Sequence, residues 1–337
     1  YPAVRWRTIV VMSSHNRPVQ SADVDAVSVP SSVQVTHGLV YARRDTGELL
    51  FDLYHPAVDH PVPVIIWLHG GGWFTGDRTL SPDLSQIVAQ SGYAVASIDY
   101  RLSGQALFPA QLHDVRAAVR FLRSNAHTYG LDPQGICLWG ASAGGHLALL
   151  VGLTGPVRQL PGEDEPGETR VAAVAASYPP IDLLDIVDQA AERLPGTDPL
   201  SSPEARLIGG HPAQHPRASK YASPLNWITP LAPPIQLSHG LADPLVPYHQ
   251  SVRMHEALAA AGTASELYLV DEYKHGFLNP AGRLDVALSA VMDDGRLVDE
   301  QTPPAWYYDA EHSDEQGQRT TFSFAHVTDF FQRHLAQ

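Results

Sequence analysis

The chain has 337 residues, 22 Lys+Arg against 36 Asp+Glu, and a formal net charge of −14. No basic stretch could displace counterions from nucleic acid, and no apolar run reaches the ~18 residues of a membrane span. A single cysteine, Cys137, excludes an internal disulfide and a cysteine zinc site.

Residues 1–30 are polar and spotted with Pro and Ser, and are expected to be an N-terminal arm. They begin with Tyr-Pro-Ala and show no signal peptide, which together with the lone cysteine points to the cytoplasm, with secretion left open by the missing Met. Residues 33–41 and 48–54 alternate apolar and polar positions around the turn Asp45-Thr46-Gly47, the pattern of two paired strands. The near-continuous run Val62–Leu68 reads as a strand buried on both faces and ends at His69-Gly70-Gly71-Gly72-Trp73. A helix is expected at 81–91 and a strand at 93–98. An amphipathic helix follows over 109–126, with Leu112, Val115, Ala118, Val119 and Leu122 on one face. Residues 135–139 read as a strand and 143–153 as a helix. Further strands are expected at 171–178, 234–239 and 265–271, with helices near 248–261 and 321–335. Such alternation predicts an α/β fold, a mostly parallel sheet flanked by helices, in a single domain spanning 1–337.

Two segments interrupt the rhythm. Residues 181–233 mix short helical pieces with prolines and read as a cap-like segment. Residues 278–320 hold nine acids against three bases, six of the chain's fourteen net negative charges. This acidic insertion reads either as a solvated surface excursion or as a lid or homodimer contact beside the site, anchored by Trp306, Tyr307 and Tyr308.

The strongest chemical signal is Gly140-Ala141-Ser142-Ala143-Gly144. G-x-S-x-G alone is weak, but here a buried strand precedes it and a helix follows, the setting of a nucleophile at a strand-to-helix turn. A serine hydroxyl needs a base that is itself oriented by a carboxylate. In the order Ser, acid, His, two downstream residues fit: Asp243 after the strand 234–239, and His275 after the strand 265–271. Both follow the C-terminal ends of predicted parallel strands, where α/β folds place their sites. Asp271 and Glu272 are rival acids, handicapped by lying close to His275 in sequence. The glycines after His69 can supply unencumbered N–H groups to an oxyanion, with Gly71, Gly72 and Ala143 as the expected donors. His69 reads as a residue that holds this loop.

Together HGGGW, DYRL (99–102), FPAQLHDVRAAVRFLR (108–123), GASAGGHLA (140–148), DPLVP (243–247) and HGF (275–277) make the chain resemble the α/β-hydrolase carboxylesterases, nearest the bacterial feruloyl-esterase-like and hormone-sensitive-lipase-like branches. SPEARLIGG (202–210) and ASPLNWITPLAPPIQLSHG (222–240) resemble the first of these. The likeness covers roughly residues 35–278. It implies an eight-stranded sheet, no cofactor, and hydrolysis of a small-molecule ester through an acyl-enzyme, with Ser142, Asp243 and His275 as triad and Gly71, Gly72 and Ala143 as oxyanion hole. The chain departs from that pattern in lacking a long helical N-terminal cap, in Lys274 directly before His275, and in the length of 278–320.

Trp73 and Phe74, beside the oxyanion loop, and Leu183, Leu184 and Ile186, in the cap-like segment, are candidate walls of a substrate pocket, though each could equally be core. A short or medium acyl ester or an aromatic ester is the expected substrate. The alternatives are an amide or lactone, as in arylformamidases with their HGGxW loop, or a non-catalytic ligand-binding hydrolase fold, which a damaged triad would favour.

Overall fold

The computed structural model describes residues 32–193, 199–284, 289–310 and 317–335; the expected N-terminal arm lies outside them. A hairpin of β1 (Val33–Arg44) and β2 (Gly47–Pro56) leads into β3 (Val62–Leu68), α1 (Leu84–Ser91), β4 (Ala94–Ile98), α2 (Ala110–Ser124), β5 (Leu131–Ala141), α3 (Ala143–Thr154) and β6 (Val174–Ser177). The cap-like segment carries α4 (Leu183–Arg193), α5 (Pro203–Ile208) and α6 (Pro216–Ala222). The core then resumes with β7 (Ile235–Gly240), α7 (His249–Ala260) and β8 (Ser265–Val270). Last come α8 (Arg296–Glu300), β9 (Pro304–Asp309), β10 (Gln318–Thr321) and α9 (Phe324–Leu335).

The strands form one sheet in the order β1-β2-β4-β3-β5-β6-β7-β8-β9-β10. The run from β4 through β3 to β8 is parallel, and both ends are antiparallel. The period of two explains why β3 reads as unbroken apolar sequence. Val64, Ile66 and Leu68 face one layer with Leu112, Val115 and Val119 of α2 and Leu147 and Leu150 of α3. Ile65 and Trp67 face the other, with Leu84, Ile87 and Val88 of α1 and Phe330 and Phe331 of α9. A strand sandwiched between helix layers has no polar side.

Among the described residues the sheet has ten strands where eight were expected, and the extra pair comes from the acidic insertion. β9 pairs antiparallel with β8, matching Leu269 to Trp306 and Val270 to Ala305, and β10 pairs with β9. Among the described residues, then, the insertion is not simply a solvated excursion: Leu297 and Ala305 are fully buried. Of its expected aromatic anchors, Tyr307 packs on Tyr268 at 5.0 Å and Trp306 lies under the Arg319 guanidinium at 4.7 Å. Phe322 packs on Tyr268 and Phe277, with ring centroids 5.3 and 6.1 Å apart.

If this extension is part of the core, Leu297→Ala should lower the unfolding free energy by about 2–5 kcal/mol, the usual loss for a buried leucine. Urea denaturation measures it, and a loss below about 1 kcal/mol would mark the extension as peripheral.

Candidate active site

The parallel register brings the ends of β3, β5, β7 and β8 to one edge of the sheet. Leu68 is opposite Gly140, Ala141 opposite Ser177, and Gly240 opposite Val270. β5 passes into α3 through Ser142, whose φ of 52° and ψ of −119° are strained for any residue with a Cβ. The strain is imposed by close backbone packing. A Cβ on Gly140 would lie 2.3 Å from the Gly144 carbonyl oxygen, and one on Gly144 would lie 2.0 Å from the Leu68 carbonyl oxygen. The two motif glycines therefore let α3 start against the end of β3. The Ser142 N–H donates to the Ser177 carbonyl at 2.9 Å, which fixes the turn from the neighbouring strand.

The three residues expected as a triad come together. Ser142 Oγ is 2.8 Å from His275 Nε2, and His275 Nδ1 is 2.6 Å from Asp243 Oδ2. The two loops that carry acid and imidazole are tied to each other: Ala242 N–H donates to the Tyr273 carbonyl at 2.9 Å. They approach so closely that a Cβ on Gly240 would meet the Tyr273 carbonyl oxygen at 2.1 Å. Of the rival acids, Asp271 instead pairs with Arg319 at 2.8 Å. Glu272 offers its backbone carbonyl to Arg296 at 2.9 Å.

Asp243 is buried, which by itself raises a carboxyl's pKa. The charge of His275 and hydrogen bonds from His239 and His275 outweigh the burial and hold it well below the ordinary carboxylate range. Its oxygens are fully engaged. Oδ1 accepts from the N–H groups of Leu245 and Val246 at 2.9 and 3.0 Å, while Oδ2 faces His275 and, at 3.3 Å, His239 Nε2. With the carboxylate ionised, His275 Nδ1 carries the proton and Nε2 is left to accept from the Ser142 hydroxyl.

Sequence reasoning assigned no role to His239. It is fully buried on β7, with Nε2 also 2.9 Å from the Val246 carbonyl and Nδ1 2.7 Å from Ser251 Oγ. The signal available was its position four residues before Asp243 at a strand end. Tyr178, also unforeseen, places its ring 4.6 Å from the imidazole of His275.

The glycine loop after β3 turns tightly. Gly71 and Gly72 have φ of 104° and 55°, and the Gly71 carbonyl accepts from both Phe74 and Thr75 N–H at 3.1 Å. A Cβ on Gly71 would lie 2.2 Å from the Thr75 carbonyl oxygen. Ala143, at the first turn of α3, has an N–H that intrahelical bonding does not use. His69 holds this loop, as expected. Its ring stacks on Tyr100 at 4.3 Å, and the Tyr100 hydroxyl donates to the His69 carbonyl at 2.8 Å. Arg101 next to it is fixed by the buried Asp114 of α2, which explains why DYRL and LHDVR occur together.

The pocket candidates divide. Trp73 is 1 % exposed, and its indole N–H donates to His146 Nδ1 at 3.2 Å. Leu183 is buried in the main core, and Ile186 packs with Val187 and Val246. These three serve as core. Phe74 is half-buried with the Arg206 guanidinium 4.8 Å above its ring, and Leu184 is exposed.

His146, four residues after Ser142, also went unforeseen. Accepting from Trp73 at Nδ1, it must donate from Nε2, and the Ala222 carbonyl lies 2.6 Å away. It thus links the oxyanion loop, the nucleophile helix and α6.

The BD-FAE family model matches residues 51–258. The chain belongs to the BD-FAE family of α/β-hydrolases. The dienelactone hydrolase family model also matches, over residues 203–335. Esterase LipC of Mycobacterium tuberculosis is 34% identical over 64% of this chain and 53% of its own length. The chain spans about half the length of the curated relatives it matches. Among solved structures, a truncated carbohydrate esterase from gut microbiota superposes with a TM-score of 0.67 at 27% identity, covering 90% of this chain and 97% of that one. Esterase 2 of Thermogutta terrifontis, phosphoramylated by tabun, gives 0.59 at 25% identity over 81% of this chain and 94% of that one.

Burial lowers the His146 pKa to about 4, against an ordinary value near 6.5. The unfolded chain therefore binds this proton at a higher pH than the folded one. His146's contribution is fully present above about pH 6.5 and is lost as pH falls toward 4, by about 3 kcal/mol in all. His146→Gln should flatten the pH dependence of unfolding free energy between pH 6.5 and 4 by roughly that amount. Urea titrations across that range test it, and parallel curves for both proteins would refute it.

Proposed function

We propose that the BD-FAE fold carries a serine carboxylesterase here, with Ser142 as nucleophile, His275 as general base and acid, and Asp243 as its orienting carboxylate. The observation that carries this reading is the unbroken hydrogen-bond chain Ser142–His275–Asp243, 2.8 and 2.6 Å in its two links. The similarity to named esterases, and to one whose structure holds a tabun adduct, supports it.

In this mechanism Ser142 Oγ attacks the ester carbonyl carbon while its proton passes to His275 Nε2. The carbonyl π electrons move to oxygen, and the resulting oxyanion is met by the N–H groups of Gly71, Gly72 and Ala143. As the C–O bond to the alcohol breaks, His275 returns the proton to the leaving oxygen. Water then attacks the acyl-enzyme with His275 again taking its proton, and collapse frees the acid and the Ser142 hydroxyl. Asp243 stays ionised throughout and stabilises the imidazolium formed in each half. The strained turn at Ser142 holds Oγ at the end of α3, where the helix dipole favours developing negative charge.

The substrate class we propose is a short or medium acyl ester, or an aromatic one. Phe74 follows the oxyanion loop directly and keeps part of its ring open. It is therefore the first choice for a pocket wall, with Leu184 the second. The Thermogutta esterase that superposes on this chain has also been solved with propionate and with butyrate bound, in keeping with short acyl groups.

Ser142→Ala should reduce turnover of a p-nitrophenyl acyl ester by about 10⁵–10⁶-fold with the melting temperature preserved, since a serine hydrolase loses nearly all its catalysis with its nucleophile. Activity within tenfold of the wild type in the purified variant would sink the assignment.

A further inference from the structure

The acidic insertion meets the catalytic machinery along the backbone around His275. Residues 289–300 run past the loop that follows β8, and Met292 forms an isolated parallel bridge with His275. Asp293 grips that loop on both sides of one peptide. Its carboxylate Oδ2 accepts from the Lys274 N–H at 2.7 Å, and its own N–H donates to the His275 carbonyl at 2.8 Å. The carboxylate is in turn oriented by Arg296, whose Nη1 donates to Oδ2 at 3.0 Å and to the Glu272 carbonyl at 2.9 Å. The Arg296 guanidinium lies 4.1 Å over the Tyr273 ring. Two more contacts close the seam: Gly295 N–H to the Asn279 carbonyl at 2.7 Å, and Lys274 Nζ to the Ala290 carbonyl at 3.0 Å. The packing is tight enough that a Cβ on Gly276 would sit 2.1 Å from Met292 Cε.

We infer that Asp293 is a positioning residue for the catalytic base, and that the segment 289–300 is a buttress for the His275 loop; this rests on the triad reading above. The imidazole is held at its far end by Asp243, but that hydrogen bond fixes only the ring. The reach of Nε2 toward Ser142 also depends on where the main chain of His275 stands, and Asp293 fixes that through the N–H of the preceding Lys274 and the carbonyl of His275 itself. A displacement of about 1 Å at a reacting group is enough to cost on the order of 100-fold in rate. The departure of this chain from the family pattern, a long insertion directly after the histidine, thus has a job in the reaction without touching substrate.

The test separates rate per working site from the number of working sites. Purified wild type, Asp293→Ala and Asp293→Asn are titrated with a fluorophosphonate to count reactive Ser142. The kcat and KM of a p-nitrophenyl ester are then measured per titrated site. Asp293→Ala should lower kcat per site by about 10–100-fold with KM changed less than threefold. The fluorophosphonate reaction rate, which needs the same base, should slow in parallel. Asp293→Asn, which keeps an oxygen acceptor for the Lys274 N–H, should recover most of the loss. Should Asp293→Ala not fold, Asp293→Glu, which moves the carboxylate by one methylene, should show the same fall per site. A buttress that matters only to stability would reduce the titratable fraction or the melting temperature and leave kcat per site unchanged, and that result overturns the inference. Ser142→Ala serves as the control for the underlying reading: if it still reacts with the fluorophosphonate and turns over ester, the triad assignment fails, independently of what Asp293 does.

Discussion

The constraint on which the site depends is the contact between the start of α3 and the end of β3. Where Gly144 meets the Leu68 carbonyl there is no room for even a methyl group. That approach forces Ser142 into its strained conformation, of order 1–3 kcal/mol, and it is sustained by the packed sheet on both sides. The same approach sets the N-terminus of α3 beside the loop that leaves β3, so nucleophile and oxyanion donors are placed by one packing event. Either glycine enlarged would push strand and helix apart, and the Ser142 hydroxyl would move relative to both the imidazole and the glycine loop.

Around that contact the polar groups are organised by burial. Asp243 is nearly excluded from water, where an unpaired carboxylate would be neutral or destabilising. Four donors meet its two oxygens, two of them backbone N–H groups two and three residues further along its own turn. The turn therefore solvates the charge with fixed dipoles, and His275 is oriented by a carboxylate that has little freedom to reorient. His239 contributes to this from beneath, its own orientation set by Val246 and Ser251. His146 plays the corresponding part on the oxyanion side, through Trp73.

The fold was largely legible in the sequence because its strands are sandwiched: Val62–Leu68 can be an unbroken apolar run only if both faces are covered. The cluster of Ser142, Asp243 and His275 was legible because each sits at a strand end next to a glycine or turn, and chain order gave the proposed roles. What escaped were contacts between residues far apart in the chain. Nothing local marks Trp73 as the partner of His146, 73 residues on, so an aromatic beside the oxyanion loop read as a pocket wall when its indole is core. For Leu183 and Ile186 the core alternative is the one the structure shows; an apolar residue in sequence looks alike whether it faces substrate or core. β9 and β10 were hidden by the acids around them, since short strands carry little periodic signal and the pairing of β9 is decided by the distant β8.

The charge of the insertion also takes on a different meaning once its contacts are known. Each of its three arginines is engaged: Arg283 with Thr79, Arg296 with Asp293 and Glu300, and Arg319 with Asp271 while it lies over the Trp306 ring. Pairs this exposed contribute little individually to stability. Their value is geometric, because Arg296 also bonds the Glu272 carbonyl and covers Tyr273, both in the turn that leads to the catalytic histidine. An element added outside the parallel core in this way can adjust the base of the reaction while leaving the strained serine turn and its packing untouched.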